Sequence, residues 1–165
     1  MQLAYLGLGA NLNQPIQQLN LAVAALRQHP CIHALRVSAY YTSSPMGPQD
    51  QPDYVNAVVE CLTDLSPLAL LDVCQSIEQA QHRERKRHWG ERTLDMDILS
   101  LGDCVMQTER LTLPHPGIAL RDFVVLPWQE IAPNYRIPTL GLVAELPVLA
   151  DYQARPINLP TKETA

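Results

Sequence analysis

Hydrophobic and polar residues follow two different periods along the chain, and the changes between these periods predict the order of its structural elements. Apolar runs and period-two segments, which are typical of buried or half-buried strands, occur at 3–8, 32–41, 54–62, 94–98 and 123–126. Apolar residues at helical spacing begin after Pro15 and stop at Pro30. A second helical segment follows Ser66 and Pro67, which have the pattern of a cap residue and a first-turn proline.

The order strand, helix, strand, strand, helix, strand predicts an α+β fold. The arrangement that fits it is the ferredoxin-like βαββαβ sandwich, an antiparallel sheet with both helices packed on one face and the other face open to a ligand. Gly102 and Asp103 have the composition of a hairpin turn, so we expect an extra C-terminal strand or hairpin at 105–113 that continues the sheet or its edge. A helical turn is expected between Pro127 and Ala132.

A chain of 165 residues with 47% hydrophobic and 18% charged residues is long enough for one globular domain with its own core. Its 14 prolines cluster at 45–52, at 114–138 and near the C-terminus, which predicts long loops and an irregular end. We therefore predict a single domain at 1–138 and a C-terminal tail at 139–165 that packs on this domain or trails from it.

The net charge of −5 argues against general binding to nucleic acids or membranes. Five of the 12 Lys and Arg residues nevertheless lie within 83–92, and a local basic patch on an acidic protein favours a small polyanionic ligand. Cys31, Cys61, Cys74 and Cys104 form no C-x-x-C pair and no zinc-type spacing, so reduced thiols are expected. The N-terminus lacks a signal-peptide pattern and no apolar run has membrane length, which predicts a cytoplasmic protein.

The strand at 94–98 carries two acids, because its apolar residues alternate with Asp95 and Asp97. Residues two apart in a strand point the same way and lie about 7 Å from each other, so both carboxylates share one face. Paired carboxylates suit hard cations such as Mg²⁺, and the basic residues at 83–92 are suited to phosphate groups. The combination indicates chemistry on a nucleotide. The alternative is an exposed strand face with two solvated acids.

Two further features concern the ends of the predicted strands. Residues 7–11, with the sequence GLGAN, have neither the third glycine of a dinucleotide-binding motif nor the Gly-Lys-Ser/Thr of a P-loop. Their glycines instead indicate a place where the backbone passes close to another group. Asn56 lies within the apolar strand at 54–62, where a buried amide needs hydrogen-bond partners.

These segments resemble, in the same order, those of the 6-hydroxymethyl-7,8-dihydropterin pyrophosphokinase family. The resemblance covers roughly residues 3 to 138, and the matching segments are 7–12, 44–56, 89–90, 92–98, 109–115 and 121–123. It implies transfer of pyrophosphate from ATP to the hydroxymethyl group of the pterin, with AMP as the leaving product, in folate biosynthesis. It also implies two Mg²⁺ ions as cofactors, which bridge the ATP phosphates.

The resemblance implies three groups of site residues. Asp95 and Asp97 hold the metal ions, and with Arg83 and Arg92, which act at the transferring phosphoryl groups, they form the catalytic group. The residues implied to bind ATP are Gln75, Glu78, Arg85, Lys86, Trp89, Ile98, Arg110, Thr112, His115 and Arg121. The residues implied to bind the pterin are Ser43, Ser44, Met46, Tyr54, Asn56, Trp89, Asp95 and Phe123.

Physical chemistry agrees with these implied roles. Aromatic faces hold a planar heterocycle, while Asn56 and backbone groups of 43–46 can bind its edge. Either acid at 95 and 97 could accept the proton of the attacking hydroxyl, although a metal-bound alcohol is already acidified. Taken alone, Phe123 would more simply be a core residue, Glu78 a surface residue and His115 a loop residue.

The expected partners are ATP and the pterin, with no nucleic acid and no membrane, and the expected state is a monomer. Two other functions are considered. One is a non-catalytic ferredoxin-like module that binds RNA through basic and aromatic residues, against which the net charge and the paired acids argue. The other is a different Mg²⁺-dependent phosphoryl or nucleotidyl transferase with another acceptor, which its products would distinguish.

The chain departs from the family's usual pattern at four positions. His88 and Glu91 replace a usual Arg and Pro, His82 stands where Gly is common, and Pro116 stands where an aromatic residue is often found. These departures concern the basic arm at 82–92 and contacts on the adenine side, and they leave the implied reaction unchanged.

Overall fold

The computed structural model describes residues 1–12, 14–45, 50–81 and 93–157. Within these ranges the α-helices are α1 (Pro15–Gln28), α2 (Pro67–Ala80) and α3 (Asp122–Ile131). The strands are β1 (Gln2–Ala10), β2 (Ile32–Val37), β3 (Tyr41–Ser43), β4 (Tyr54–Thr63), β5 (Asp95–Leu101), β6 (Met106–Gln107), β7 (Thr112–Leu113), β8 (Arg136–Ile137), β9 (Gly141–Leu142) and β10 (Arg155–Pro156).

The large sheet has the strand order β10–β3–β4–β1–β5, with β2 also paired to β4, and every pair is antiparallel. β2 pairs with residues 59–63 of β4 and β3 with residues 54–56, so both lie along the edge of β4 that faces away from β1. The antiparallel sheet and the mixed α/β composition expected from the sequence are therefore confirmed.

One face of the large sheet forms a core with α1 and α2. Ala4, Leu6 and Leu8, alternate residues of β1, are buried on this face. The helices contribute buried residues spaced three or four apart, among them Leu19, Val23 and Leu26 from α1 and Leu70, Cys74 and Ile77 from α2. Both helices therefore lie on the same face of the sheet, where their apolar stripes are buried against it.

The opposite face of the sheet is covered in part by α3. Tyr5 and Leu99 from the sheet form a second core with Val125 and Trp128 from this helix. The Trp128 ring is fully buried, and its centroid lies 5.0 Å from that of Tyr5 and 5.8 Å from that of Tyr135. Beyond α3, the residues that the structure describes leave part of this face open as a cavity.

The expectation of a strand at 123–126 is wrong, because these residues belong to α3. A short apolar run fits a buried strand or a buried helix equally well, so its period alone does not decide. Val124, Val125 and Trp128 are all buried at a spacing that one helical face provides. The helical turn expected between Pro127 and Ala132 is the C-terminal half of the same helix, which ends at Ile131.

The expectation that 105–113 continues the large sheet is also wrong. Within the described ranges, β6 and β7 form a separate two-stranded hairpin. Thr108 closes its turn: its backbone N–H and its hydroxyl both donate to the Leu111 carbonyl, at 3.0 and 2.9 Å. The segment therefore folds back on itself, and a hydrogen bond from His115 N to Leu99 O (2.9 Å) joins the residues after it to β5.

The segment at 32–41, expected as one strand, is interrupted between β2 and β3. Ser38 N donates to Val58 O (2.9 Å), and Ser38 Oγ accepts a hydrogen bond from Val58 N (3.0 Å). The Ser38 hydroxyl thus takes the place of a backbone carbonyl in the ladder, a local competition that serine offers. The predicted helix start at Ser66 is confirmed, since its Oγ accepts from Ala69 N at 3.2 Å.

Residues beyond β8 lie against α3 and the sheet edge. Asp122 Oδ2 accepts hydrogen bonds from Gln153 N (2.7 Å) and Ala154 N (3.0 Å), and β10 pairs with β3. No helix among the described residues is long and apolar enough to cross a bilayer. The four cysteines are free thiols, and burial raises the pKa of Cys61 to about 11.

Ala34 in β2 has a left-handed backbone conformation, with φ at +51°, where the pairing register with β4 shifts. A Cβ in this region costs about 1–2 kcal/mol, and glycine removes that strain at the expense of about 0.5–1 kcal/mol of chain entropy. We expect Ala34→Gly to raise the free energy of unfolding by up to about 1 kcal/mol, measured by urea denaturation. Ala25→Gly within α1 is the control and should lower it by about 1 kcal/mol. Equal destabilisation by both would contradict this account of β2.

Glu60 of β4 receives hydrogen bonds from Tyr5 Oη (2.6 Å) and from Arg36 Nε and Nη2 (2.9 and 3.2 Å). Burial acts to raise the pKa of Glu60, but the bonds from Arg36 and Tyr5 outweigh it, so this pKa lies below its ordinary value. A lowered folded-state pKa stabilises the fold above the unfolded-state value of about 4.3, and the effect is lost as pH falls through the folded-state value.

Glu60→Gln is therefore expected to lower the free energy of unfolding at pH 7, and the difference from the parent should shrink once the pH falls below about 4.3. Urea denaturation at several pH values measures this. Asp64→Asn is the matched control, because the Asp64 side chain is 68% exposed and its ion pair with the N-terminus should contribute little. A pH-independent difference for Glu60→Gln would show that its ionisation does not matter.

Candidate active site

The open face of the sheet has a floor in which two glycines of β1 lie between residues of β4 and the two acids of β5. Gly9 of β1 pairs with Asn56 of β4 on one side and with Asp95 of β5 on the other. Gly7 pairs in the same way with Val58 and Asp97. Because paired residues share a face and glycine has no side chain, the centre of this floor is a depression with both acids along one border.

A cavity of about 520 Å³ lies over this floor. All the expected site residues within the described ranges line it: Ser43, Ser44, Tyr54, Asn56, Gln75, Glu78, Asp95, Asp97, Ile98, Arg110, Thr112, His115, Arg121 and Phe123. The other expected site residues, Met46, Arg83, Arg85, Lys86, Trp89 and Arg92, lie outside the described residues, as do the departures at 82, 88 and 91.

The lining of the cavity includes an amide and two aromatic side chains. Asn56, which is 5% exposed, donates a hydrogen bond from Nδ2 to Ser43 Oγ at 2.7 Å, so its amide is held in one orientation. Tyr54 at the start of β4 and Phe123 in the first turn of α3 are both half-buried and line the same cavity. Flat apolar faces beside one fixed polar group suit a planar heterocycle with hydrogen-bonding edges.

The paired acids line the same cavity, and two nitrogen-bearing side chains lie close to Asp97. Asp97 Oδ2 lies 3.7 Å from His115 Nε2 and 3.8 Å from Arg121 Nη1. These separations are longer than hydrogen bonds, but they are short enough for strong electrostatic attraction between Asp97 and Arg121. Arg121 also lies over Phe123, with its guanidinium carbon 6.0 Å from the ring centroid. The site thus contains carboxylates and a cation in direct proximity.

His115 is a neutral hydrogen-bond donor in this environment. Burial, with a smaller contribution from Arg121, lowers the pKa of His115 to about 4 against the opposing effect of Asp95. His115 Nδ1 accepts a hydrogen bond from Gly117 N at 3.0 Å, which leaves the ring proton on Nε2. The side that faces Asp97 is therefore an N–H group that can donate to an oxygen atom.

Helix α2 also lines the cavity, through Leu71, Gln75 and Glu78. Arg110 Nη2 donates to Asp72 Oδ1 (2.8 Å) and to Gln75 Oε1 (3.3 Å), so α2 holds this guanidinium at the rim. Glu78, one turn further along α2, accepts a hydrogen bond from Met96 N at 2.7 Å. The helix is therefore connected both to the rim of the cavity and to the strand that carries the acids.

The donor atoms of Asp95 and Asp97 fit a hard divalent cation. Carboxylate oxygens are the ligands that Mg²⁺ prefers, and in nucleotide sites one or two carboxylates share the ion with phosphate oxygens and water. Among the described residues there is no cluster of three or more His, Cys, Asp or Glu side chains suited to a metal ion. Two carboxylates therefore match a metal site that is completed by a nucleotide and water, rather than one in which the protein supplies every ligand.

Several residues that shape the cavity were not among the expected site residues. Gly7 and Gly9 form its floor, and their spacing of two within a strand could have placed them on the same face. Thr108 and Glu109 come from the turn between β6 and β7, and no periodicity in the sequence indicates that this turn reaches the cavity. Pro116, one of the departures from the family pattern, also lines it.

The chain is similar in sequence to proteins of known family. The model of the 7,8-dihydro-6-hydroxymethylpterin-pyrophosphokinase (HPPK) family matches residues 5–133. The 2-amino-4-hydroxy-6-hydroxymethyldihydropteridine pyrophosphokinase of Haemophilus influenzae is 51% identical over 143 residues, which cover 87% of this chain and 89% of the relative. The protein of the same name from Pseudomonas aeruginosa is 43% identical over 138 residues, with coverage of 84% and 85%.

Solved structures give a similar result for the fold. The wild-type HPPK-DHPS of Plasmodium falciparum superposes with a TM-score of 0.69 at 14% identity, covering 88% of this chain. The match spans only 44% of that longer chain, and at this identity the likeness concerns the fold alone.

Proposed function

The chain belongs to the 7,8-dihydro-6-hydroxymethylpterin-pyrophosphokinase family, and from this premise we propose how its residues carry out the reaction. It is an ATP-dependent pyrophosphokinase that transfers pyrophosphate from ATP to the hydroxymethyl group of hydroxymethyldihydropterin in folate biosynthesis. The family and the reaction predicted from the sequence are confirmed. The observation that supports our assignment of residues is that one cavity is lined by the acid pair, by the Asn56 amide and by the aromatic rings of Tyr54 and Phe123.

The pterin occupies the end of the cavity above Gly9. Tyr54 and Phe123 contact its ring, and Asn56, oriented by Ser43, binds its polar edge together with groups of Ser44. The family resemblance implies that Met46 and Trp89 also contact the pterin. The absence of a side chain at Gly9 lets the flat ring lie close to the sheet, since a Cβ there would be 3.0 Å from Asn56 Oδ1. The hydroxymethyl group of the pterin then projects toward Asp95 and Asp97.

The triphosphate of ATP binds on the other side of the acid pair. Arg121 and the Nε2–H of His115 contact phosphate oxygens, and Arg110, Thr112, Gln75, Glu78 and Ile98 border the nucleotide. Asp95 and Asp97 would hold two Mg²⁺ ions, which would neutralise phosphate charge and acidify the attacking hydroxyl. Asp95 or Asp97 receives the proton of that hydroxyl as pyrophosphate is transferred and AMP leaves. Arg83 and Arg92, with Arg85, Lys86 and Trp89, complete the phosphate end as the family resemblance implies.

The remaining proposals concern the whole molecule. The order β2/β3–β4–β1–β5, with α1 and α2 on one face, supports a ferredoxin-like βαββαβ arrangement to which α3 and the small hairpins are added. We also propose one domain at 1–138 with the tail at 139–165 packed on it, a monomer, a cytoplasmic location, and no nucleic-acid or membrane partner. The net charge of −5 supports the last of these.

Product analysis tests the proposed chemistry. The purified protein is incubated with ATP, Mg²⁺ and 6-hydroxymethyl-7,8-dihydropterin, and the nucleotides are separated by chromatography. A pyrophosphokinase releases AMP in proportion to the pterin consumed, a kinase would release ADP, and a nucleotidyl transferase would release free pyrophosphate. Pterin-dependent ADP or pyrophosphate without AMP would contradict the proposal, and RNA binding without any pterin-dependent product would favour the RNA-binding alternative.

A further inference from the structure

β5 is the last strand in the order of the large sheet, so its outer edge has no neighbouring strand among the described residues. Met96 of β5 pairs with Leu8 of β1, but its N–H points to the outer side and donates to Glu78 Oε2 of α2 at 2.7 Å. A carboxylate that accepts a backbone N–H forms a charge-assisted bond, which is stronger than one between neutral groups. Helix α2 thus stabilises the free edge of β5 at Met96.

Glu78 occupies a position where an apolar residue would be usual. It is 5% exposed and lies on the buried stripe of α2, four residues after Cys74 and seven after Leu71, which are also buried. A buried carboxylate is costly unless hydrogen bonds satisfy it, and Met96 N provides one. The bond to β5 therefore explains why a carboxylate occupies this buried position.

We infer that Glu78 is a positioning residue, which acts through the Met96 backbone to hold the carboxylates of Asp95 and Asp97 in place. Met96 is the residue between the two acids, so fixing its peptide groups fixes the direction in which both neighbouring side chains leave the strand. This inference rests on the proposed role of the two acids as cation ligands. Glu78 would then set the geometry of the metal site, in addition to the contact with ATP that the family resemblance implies.

Three variants distinguish a positioning role of Glu78 from a direct contact between Glu78 and the nucleotide. Glu78→Leu keeps the size and removes the acceptor, whereas Glu78→Gln removes the charge and keeps an oxygen that can accept from Met96 N. Gln75→Leu, one turn earlier on α2, is the matched control, because Gln75 lines the cavity and bonds to Arg110. The readouts are hydrogen exchange of the Met96 amide by NMR, Mn²⁺ binding by electron paramagnetic resonance with a non-hydrolysable ATP analogue, and kcat against KM.

Positioning predicts that Glu78→Leu loses exchange protection at Met96 and binds Mn²⁺ about 10- to 100-fold more weakly, as residues that orient metal ligands generally do. Its kcat falls while its KM for the pterin stays within about threefold. Glu78→Gln retains the protection and stays within about threefold in Mn²⁺ affinity, and Gln75→Leu raises the KM for ATP with Met96 still protected.

If Glu78→Leu behaves like Gln75→Leu in all three readouts, the inference is overturned. If Glu78→Leu does not fold, Glu78→Gln decides: retained Met96 protection and Mn²⁺ affinity support positioning, and a rise in the KM for ATP equal to that of Gln75→Leu overturns it.

Asp97→Ala is measured in parallel. Unchanged Mn²⁺ affinity in Asp97→Ala would show that the proposed metal site is wrong, whereas a loss there without one in Glu78→Leu would reject only the positioning role.

Discussion

Replacing Asp97 with alanine is expected to lower kcat by about 10³-fold or more, which corresponds to at least about 4 kcal/mol of barrier. Asp97 lies on the open face of β5 beside His115 and Arg121, and it is one of only two expected protein ligands for the metal ions. Its loss would leave phosphate charge without neutralisation at the reacting phosphorus. The initial rate of pterin-dependent AMP formation measures the effect.

The fold of Asp97→Ala should be retained, because the core contacts of β5 come from its buried neighbours Met96 and Ile98. Circular dichroism and thermal unfolding check this directly. Asp103→Asn is the control, since Asp103 is an exposed acid in the turn after β5 and should leave kcat within about twofold. A folded Asp97→Ala enzyme with kcat within tenfold of the parent would remove Asp97 from the reaction.

Gly9→Val is expected to reduce kcat/KM for the pterin by about 100-fold, a loss of about 2.7 kcal/mol of transition-state stabilisation. A Cβ at this position would lie 3.0 Å from Asn56 Oδ1 and 3.9 Å from Tyr54 Cδ2, and valine adds two methyl groups to it. The side chain would enter the space assigned to the pterin ring and press on the amide that binds its edge. Steady-state kinetics with the pterin varied at saturating ATP measure the effect.

Gly9→Ala provides a graded comparison, with an expected loss of about tenfold because the Asn56 side chain can move by a few tenths of an ångström. In both variants the KM for ATP should stay within about threefold, since the nucleotide is assigned to the other side of Asp95 and Asp97. An equal effect on both substrates would indicate damage to the sheet, and no effect of valine would place the pterin elsewhere.

Periodicity predicted the parts of the fold whose local pattern and tertiary environment agree. The apolar spacing of α1 and α2 and the alternation around Asp95 and Asp97 led to the observed helices and to β5. The segment at 123–126 was predicted wrongly, because four apolar residues fit a strand or a helix equally well. Burial against Tyr5 and Leu99 favours the helix. The break at Ser38 depends on a side-chain hydrogen bond that no period encodes.

In the site, too, some features could be predicted from the sequence and others depend on the tertiary structure. Asp95 and Asp97 could be assigned to one face from the two-residue period of a strand alone, and the family resemblance supplied the residues from distant segments. The bond between Glu78 and Met96 could not be foreseen, because it depends on how α2 lies along the edge of β5. The neutral state of His115 likewise depends on burial and on Arg121, which the fold brings together.

We propose that the acids of β5 separate a pterin subsite from a phosphate subsite within one cavity. A crystal structure of the protein with 6-hydroxymethyl-7,8-dihydropterin, Mg²⁺ and a non-hydrolysable ATP analogue tests it most directly. We expect the pterin ring above Gly9 between Tyr54 and Phe123, with metal ions on Asp95 and Asp97 between its hydroxymethyl group and the phosphates. Phosphates or metal ions bound away from these two carboxylates, or a pterin on another face of the sheet, would contradict it.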